Sequence, residues 1–287
     1  MPRMRKAGDV SAPLGYTGAM ILRLALDHIT AVDADPVQLV ELAAATGCAG
    51  IGLFMQPMAV LPLMPAFALY DQPQARRELV AAMRANGIVL DVAYPFTLTG
   101  RTAVADFAPA MDCAAELGAG LLNVLAYDRE PARRAETFAA FCDLARARGL
   151  RVGVEFYPTS QVPTLAAALD LVAGVARPGE VGVNADLLHL MRSGGTLAEL
   201  AAAPAGAILY GQLADGPAVA PADPEAEASA ARHLAGQGDF DLPGFVAALP
   251  PGCPLSVEIP RNAAAAHETP LVRARAAVDS VRRVLNR

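Results

Sequence analysis

One unit recurs along the chain: an amphipathic helix that ends on glycine, a residue or two, then a short run of Val, Ile and Leu. It stands in "ELAAATGCAGIGLF", "ELVAAMRANGIVLDVAY", "AAELGAGLLNVLAY" and "FCDLARARGLRVGVEFY". Each glycine falls where a helix C-cap needs a left-handed residue before the chain turns into a strand. The apolar runs are nearly continuous rather than alternating, as parallel strands covered on both faces must be. Eight such runs lie near 21–26, 50–55, 88–94, 119–125, 151–157, 180–185, 206–213 and 254–259. Between and after them, helices are expected near 36–46, 73–86, 103–117, 132–148, 163–175, 196–203, 241–249 and 267–285. Eight βα units with no internal linker predict an α/β fold, a single (β/α)8 TIM barrel over 19–287, with a disordered tail over 1–18. A doubly wound sheet would want a Gly-rich phosphate loop after the first strand, and "LRLALDHIT" has none.

Two connections exceed what a barrel needs. Segment 56–72 is rich in Pro and Met and carries no charge before Asp71; segment 214–240 contains "DGPAVAPADPEAEASAARHLAGQGDF". Both follow strands, so both belong at the C-terminal mouth, where long loops cover sites. The apolar 56–69 stretch reads either as a lid over substrate or as a contact in a homo-oligomer.

Composition narrows the function. A net charge of −6 with no internal basic run argues against nucleic acid or an anionic membrane as partner. No apolar stretch is long enough to span a bilayer, and "MPRMRK" is not followed by a signal-peptide pattern, so a cytoplasmic location is expected. Cys48, Cys113, Cys142 and Cys253 are dispersed singly, as reduced, buried thiols are. Lys6 is the only lysine and sits in the expected tail, which removes Schiff-base chemistry and pyridoxal-type cofactors; no organic cofactor is expected.

Four consecutive strands end on a polar residue: Glu155 in "RVGVEFYP", Asp186 in "VNADLLH", Gln212 in "ILYGQLADG" and Glu258 in "PLSVEIPR". Consecutive strands of a closed barrel end side by side, so these groups should converge. Three carboxylates so close repel one another, and a divalent cation resolves the conflict. The all-oxygen donor set suits Mn²⁺ or Mg²⁺, with Co²⁺ also compatible; the absence of thiolate and the scarcity of imidazole count against zinc. Taken singly, each has a plainer reading: Glu155 or Glu258 paired to Arg151 or Arg261, Asp186 as a helix cap, Gln212 as a core amide. His189 follows Asp186 by three residues, placed to bind substrate oxygen or shuttle a proton. Arg192 and Arg261 are candidates to pair with a substrate carboxylate or phosphate, each equally readable as a surface arginine. His28 and His233 are weaker candidates at the mouth and lid, His267 reads as structural, and Asp215 as a turn residue with a supporting role open.

The pieces "GVEFYP", "VNADLLHLMRSGG", "YGQLADGP", "ARHLAGQGDFDL" and "LSVEIP" resemble the xylose isomerase-like TIM barrels grouped as sugar phosphate isomerases and epimerases. The resemblance implies a metal held by Glu155, Asp186, the position of Gln212, and Glu258, with His189 on substrate. Glutamine at the seventh-strand position is more like the 3-dehydroshikimate dehydratase branch than the ketose 3-epimerases, which carry His there. "GLFMQPM" and "LDVAYPF" are largely apolar and lack the polar set on strands two and three that would map to the dehydratase, which points to a substrate less polar than a free sugar. The expected chemistry is proton abstraction beside a carbonyl of a polyol- or keto-type small molecule through a metal-stabilised enediolate, with Glu155 and Glu258 as the proton-transferring pair. The outcome is isomerisation or epimerisation; alternatively, loss of a β-hydroxyl makes the protein a lyase. A barrel that only binds a ligand, and an endonuclease IV-type metallohydrolase, are the remaining alternatives; the second wants more histidine and a basic surface.

Overall fold

The computed structural model describes residues 22–286. Eight parallel strands close into a barrel in the order β1 to β8: β1 (Leu24–Asp27), β2 (Gly50–Phe54), β3 (Val89–Leu98), β4 (Leu121–Ala126), β5 (Val152–Glu155), β6 (Val181–Asp186), β7 (Ile208–Leu213) and β8 (Leu255–Val257). Closure is direct, since Ala25 of β1 pairs with Ser256 of β8. The expected tail over 1–18 lies outside the described residues.

The helices are α1 (Pro36–Ala45), α2 (Pro73–Asn86), α3 (Ala108–Glu116), α4 (Pro131–Arg146), α5 (Leu165–Val175), α6 (Leu187–Arg192), α7 (Leu197–Ala201), α8 (Pro224–Ala230), α9 (Leu242–Ala248) and α10 (Pro270–Leu285). The repeating glycines stop helices as the pattern requires: Gly87 caps α2 at φ 65°, and Gly149 turns the chain into β5 at φ 70°. The helix expected over 103–117 is divided into a 3-10 turn (Val104–Phe107) and α3, with Pro109 in the first turn of α3. Proline donates no N–H, so it fits the first turn of a helix, where that group would have no partner within the helix. Two helices are additions to the expected set. α6 grows directly off β6 because the Asp186 side chain accepts from the Leu188 and His189 N–H groups. α8 rises within the long seventh connection, capped by Asp223 and opened by Pro224.

One large apolar layer packs the helices onto the outside of the strands, with Phe138, Phe141 and Phe245 fully buried in it. A second, smaller apolar cluster fills the interior and includes Phe54, Val92, Tyr94, Leu121 and Tyr210, with Leu61, Met58 and Met64 of the 56–72 loop packed on it. Beside this cluster the interior is polar, and a continuous line of hydrogen bonds runs across it. Ser256 (2.6 Å) and Gln212 (3.1 Å) donate to Asp27; Asn184 donates to Gln212 (2.5 Å) and to Asn123 (3.2 Å); Asn123 donates to Glu155 (2.5 Å). These six side chains come from β1, β4, β5, β6, β7 and β8 and are all buried. The belt fixes the rotamers beneath the mouth, because each buried polar group is held by a neighbour on the adjoining strand.

Candidate metal centre

Glu155, Asp186 and His189 meet at the mouth, each offering a donor atom within 4.8 Å of the others. His189 Nε2 lies 3.4 Å from Glu155 Oε1 and 3.7 Å from Asp186 Oδ2. The Tyr157 ring packs edge-on against the imidazole, with centroids 4.6 Å apart. Asp186 takes both roles read for it: Oδ1 caps α6, while Oδ2 points to the centre. Glu258 follows β8 and extends its ladder through a bond from its N–H to the Leu213 carbonyl.

Arg232, absent from the expected set, sits among these acids. Its Nη1 donates to Asp186 Oδ2 at 2.7 Å and its Nη2 to Glu258 Oε1 at 3.2 Å, and it is almost fully buried. It is carried just past α8 and anchored by Nε to the Ala228 carbonyl. Burial opposes ionisation of Asp186, but the adjacent guanidinium outweighs it and holds the carboxyl below its ordinary value. At Glu258 burial wins over the same guanidinium, helped by Asp27, Asp186 and Glu155, and the carboxyl is pushed well above the usual range. Asp27 is likewise raised by burial.

A divalent cation fits this donor set. Four carboxyl groups (Asp27, Glu155, Asp186, Glu258) are buried there beside one guanidinium, which pairs with Asp186 and Glu258 alone, so acid outnumbers arginine in the site. Glu258 Oε2 is buried with no hydrogen-bond partner among the described residues. Gln212, two per cent exposed, completes the ring of strand ends, though its amide is committed to the belt through Asn184 and Asp27.

The other sequence candidates lie elsewhere. Arg192 makes a bidentate pair with Glu227 (2.6 and 2.7 Å), donates to the Pro217 carbonyl and stacks on Phe240. It latches α8 to α6 rather than facing substrate. Arg261 pairs with Glu268 at 3.6 Å and bridges by its backbone to Ala231, outside the cavity lining. His233 is tied by its N–H to the Asp215 carbonyl, outside the cavity lining, and His267 is exposed. His28 is fully buried: Nε2 meets the Ala34 carbonyl at 2.9 Å, and Nδ1 meets the Phe54 N–H at 3.3 Å. Both ring nitrogens are therefore occupied by backbone, which removes it from the substrate-binding set. Asp215 proves to be more than a turn residue. Its carboxylate accepts from the N–H groups of Gly216, Gly236, Gly238 and Phe240, and so gathers the loop that carries Arg232.

Burial lowers the His28 pKa from 6.5 to about 4. The unfolded chain therefore binds this proton first. The neutral buried ring contributes stability that is intact above pH 6.5 and is lost as pH falls toward 4, by roughly 3 kcal/mol. Denaturant unfolding at pH 7 and pH 4 should show a smaller acid loss for His28→Gln than for wild type. Parallel losses would show that His28 does not carry the effect.

The sequence model of the xylose isomerase-like TIM barrel family matches residues 40–283. The chain belongs to that family. Among xylose isomerase-like barrels and their relatives, it is 34% identical to a 3-dehydroshikimate dehydratase of Pseudomonas aeruginosa over 157 residues, 52% of this chain and 24% of the dehydratase. The chain thus spans about a quarter of the length of that curated relative. A crystal structure described as the IolI protein with a binding zinc atom superposes with a TM-score of 0.75 at 19% identity, covering 92% of this chain and 98% of the other. A D-psicose 3-epimerase in the presence of D-fructose superposes with a TM-score of 0.71 at 15% identity, covering 93% and 100%. At such identities the two structures establish the shared barrel.

Proposed function

We propose that this protein is a divalent-metal-dependent enzyme that moves a proton at the carbon beside a carbonyl, as an isomerase or epimerase of a hydroxy-ketone. The observation that carries this reading is the surplus of buried carboxylate around Glu155, Asp186, His189 and the partnerless Glu258 Oε2. Glu155, Asp186 and Glu258 would hold Mn²⁺ or Mg²⁺, with Gln212 Oε1, which already accepts from Asn184, supplying its second lone pair. When bound, the ion supplies Lewis acidity at the substrate carbonyl and offsets the negative charge that develops on its oxygen.

The chain's own residues do the rest. Glu155 and Glu258 both line the cavity and serve as the pair that accepts a proton from the substrate carbon and returns it. Asn123 pins one oxygen of Glu155, so the other is presented beside His189 in a fixed orientation. His189, braced by Tyr157, orients a substrate hydroxyl or carries its proton. Arg232 lies where it donates to a substrate oxygen and keeps Asp186 ionised. The belt beneath excludes water and prevents these groups from relaxing toward one another.

A dehydratase is the second reading, supported by the glutamine at position 212 and by the 34% identical relative. In that outcome the same base removes the proton, and a β-hydroxyl leaves with a proton from the second group. Titration calorimetry with Mn²⁺ should give one ion per chain. Asp186→Asn should weaken it by more than the roughly 10–100-fold seen when a mere supporting residue is lost. Wild type that takes up neither Mn²⁺, Mg²⁺ nor Co²⁺ would end the proposal.

A further inference from the structure

Resting on that metal-dependent reading, the geometry points to the class of substrate: a non-phosphorylated hydroxy-ketone or keto acid that carries an aliphatic or aromatic flank. The cavity at the mouth, about 560 Å³, has two unlike halves. One is built from Asn123, Glu155, His189, Arg232 and Glu258, with Glu225 and Ser229 of α8 closing it. The other is built mainly of Ile29, Phe54, Leu125 and the Tyr94 ring, roofed by Met58, Val60 and Leu61 from the 56–72 loop; Tyr127, Tyr157 and Thr159 also line the cavity. Hydroxyls of an extended polyol laid against the aliphatic side chains and Phe54 of this second wall would lose water and gain no partner from them, whereas carbon is favourably buried there.

Two independent features exclude a phosphate. Among the described residues Arg232 is the only guanidinium lining the cavity; it is already shared by Asp186 and Glu258, and Glu155 and Glu225 add further negative charge. Arg192 and Arg261 are engaged with Glu227 and Glu268. The glycine-rich turn "AGQGDF" is the one segment of the seventh connection built like an anion nest, with N–H groups that converge. Its guest is internal: the Asp215 carboxylate takes the N–H groups of Gly236, Gly238 and Phe240. A single carboxylate on the substrate remains compatible with Arg232.

Calorimetry on the Mn²⁺-loaded protein with three hydroxamates that share one chelating head tests this. Benzohydroxamate should bind at least about tenfold tighter than acetohydroxamate through burial of its ring. Phosphoglycolohydroxamate should bind no tighter than acetohydroxamate. Leu61→Ser and Met58→Ser, both in the loop and away from the acids, should erase most of the advantage of benzohydroxamate over acetohydroxamate. If acetohydroxamate binds but the ring brings no gain, or the phosphate probe binds best, the substrate class is wrong and the metal reading stands. If the protein takes up no Mn²⁺, the metal reading fails and this inference with it.

Discussion

Replacing Arg232 with methionine should lower the stability of the metal-free protein by about 3 kcal/mol, because it leaves Asp186 and Glu258 facing each other in a buried site without their shared cation. In a domain of this size that corresponds to a fall of roughly 6–12 °C in Tm. Excess Mn²⁺ should recover much of it, since the ion supplies the charge the guanidinium did. Thermal unfolding in EDTA and in Mn²⁺, for wild type and variant side by side, reads both effects. A variant as stable as wild type in EDTA would mean that Arg232 is not the counter-ion of the acids, and a loss that Mn²⁺ leaves untouched would mean the acids do not hold the ion.

The second large effect is on turnover. Glu155→Gln and Glu258→Gln keep volume and most hydrogen bonding: Asn123 can still donate to the amide oxygen at 155. Each should slow turnover of a hydroxy-ketone substrate by about 10²–10⁴-fold, the usual contribution of one proton-transferring group. The pattern of solvent deuterium uptake separates the outcomes. For an epimerase, each single variant should still exchange the α-proton of one diastereomer while failing to interconvert the two. For a dehydratase, wild type should release water from the substrate. Two variants that turn over at the wild-type rate would remove both glutamates from the chemistry.

Much of this molecule was legible in the sequence, for reasons that can be named. Glycine-terminated helices and unbroken Val/Ile/Leu runs are local consequences of a parallel barrel, so all eight strands emerged where expected, within a residue or two except at the start of β1, three residues later than read, and the end of β3, which runs four residues further. Glu155, Asp186 and Glu258 were visible because each interrupts an apolar strand at its exit, where burial without purpose is costly. Asn123 in "LLNVLA" and Asn184 in "VGVNAD" carry the same signal in the strand interior, and a search for any polar residue inside such a run would have found the belt. Arg232 has no such mark. It reaches the acids from a loop through contacts 46 and 26 residues away in the chain, and no periodicity encodes that fold-back. The surplus of acid was itself a hint that a buried cation had to come from somewhere. His28 and Arg192 misled for the converse reason: residue type suggested ligand contact, while backbone partners and Glu227 had already claimed them. At Asp186 the cap and the ligand readings stand as alternatives in the sequence, whereas its two oxygens serve one purpose each.

The origin of the two halves of the cavity has an evolutionary corollary. The acids are planted in hydrogen-bonded strands, but the roof over the carbon side comes from the 56–72 connection, which contributes nothing to the barrel ladder. Drift or grafting in that connection can redraw the guest list without disturbing the reactive end. A lineage built this way can change diet while its chemistry stays put.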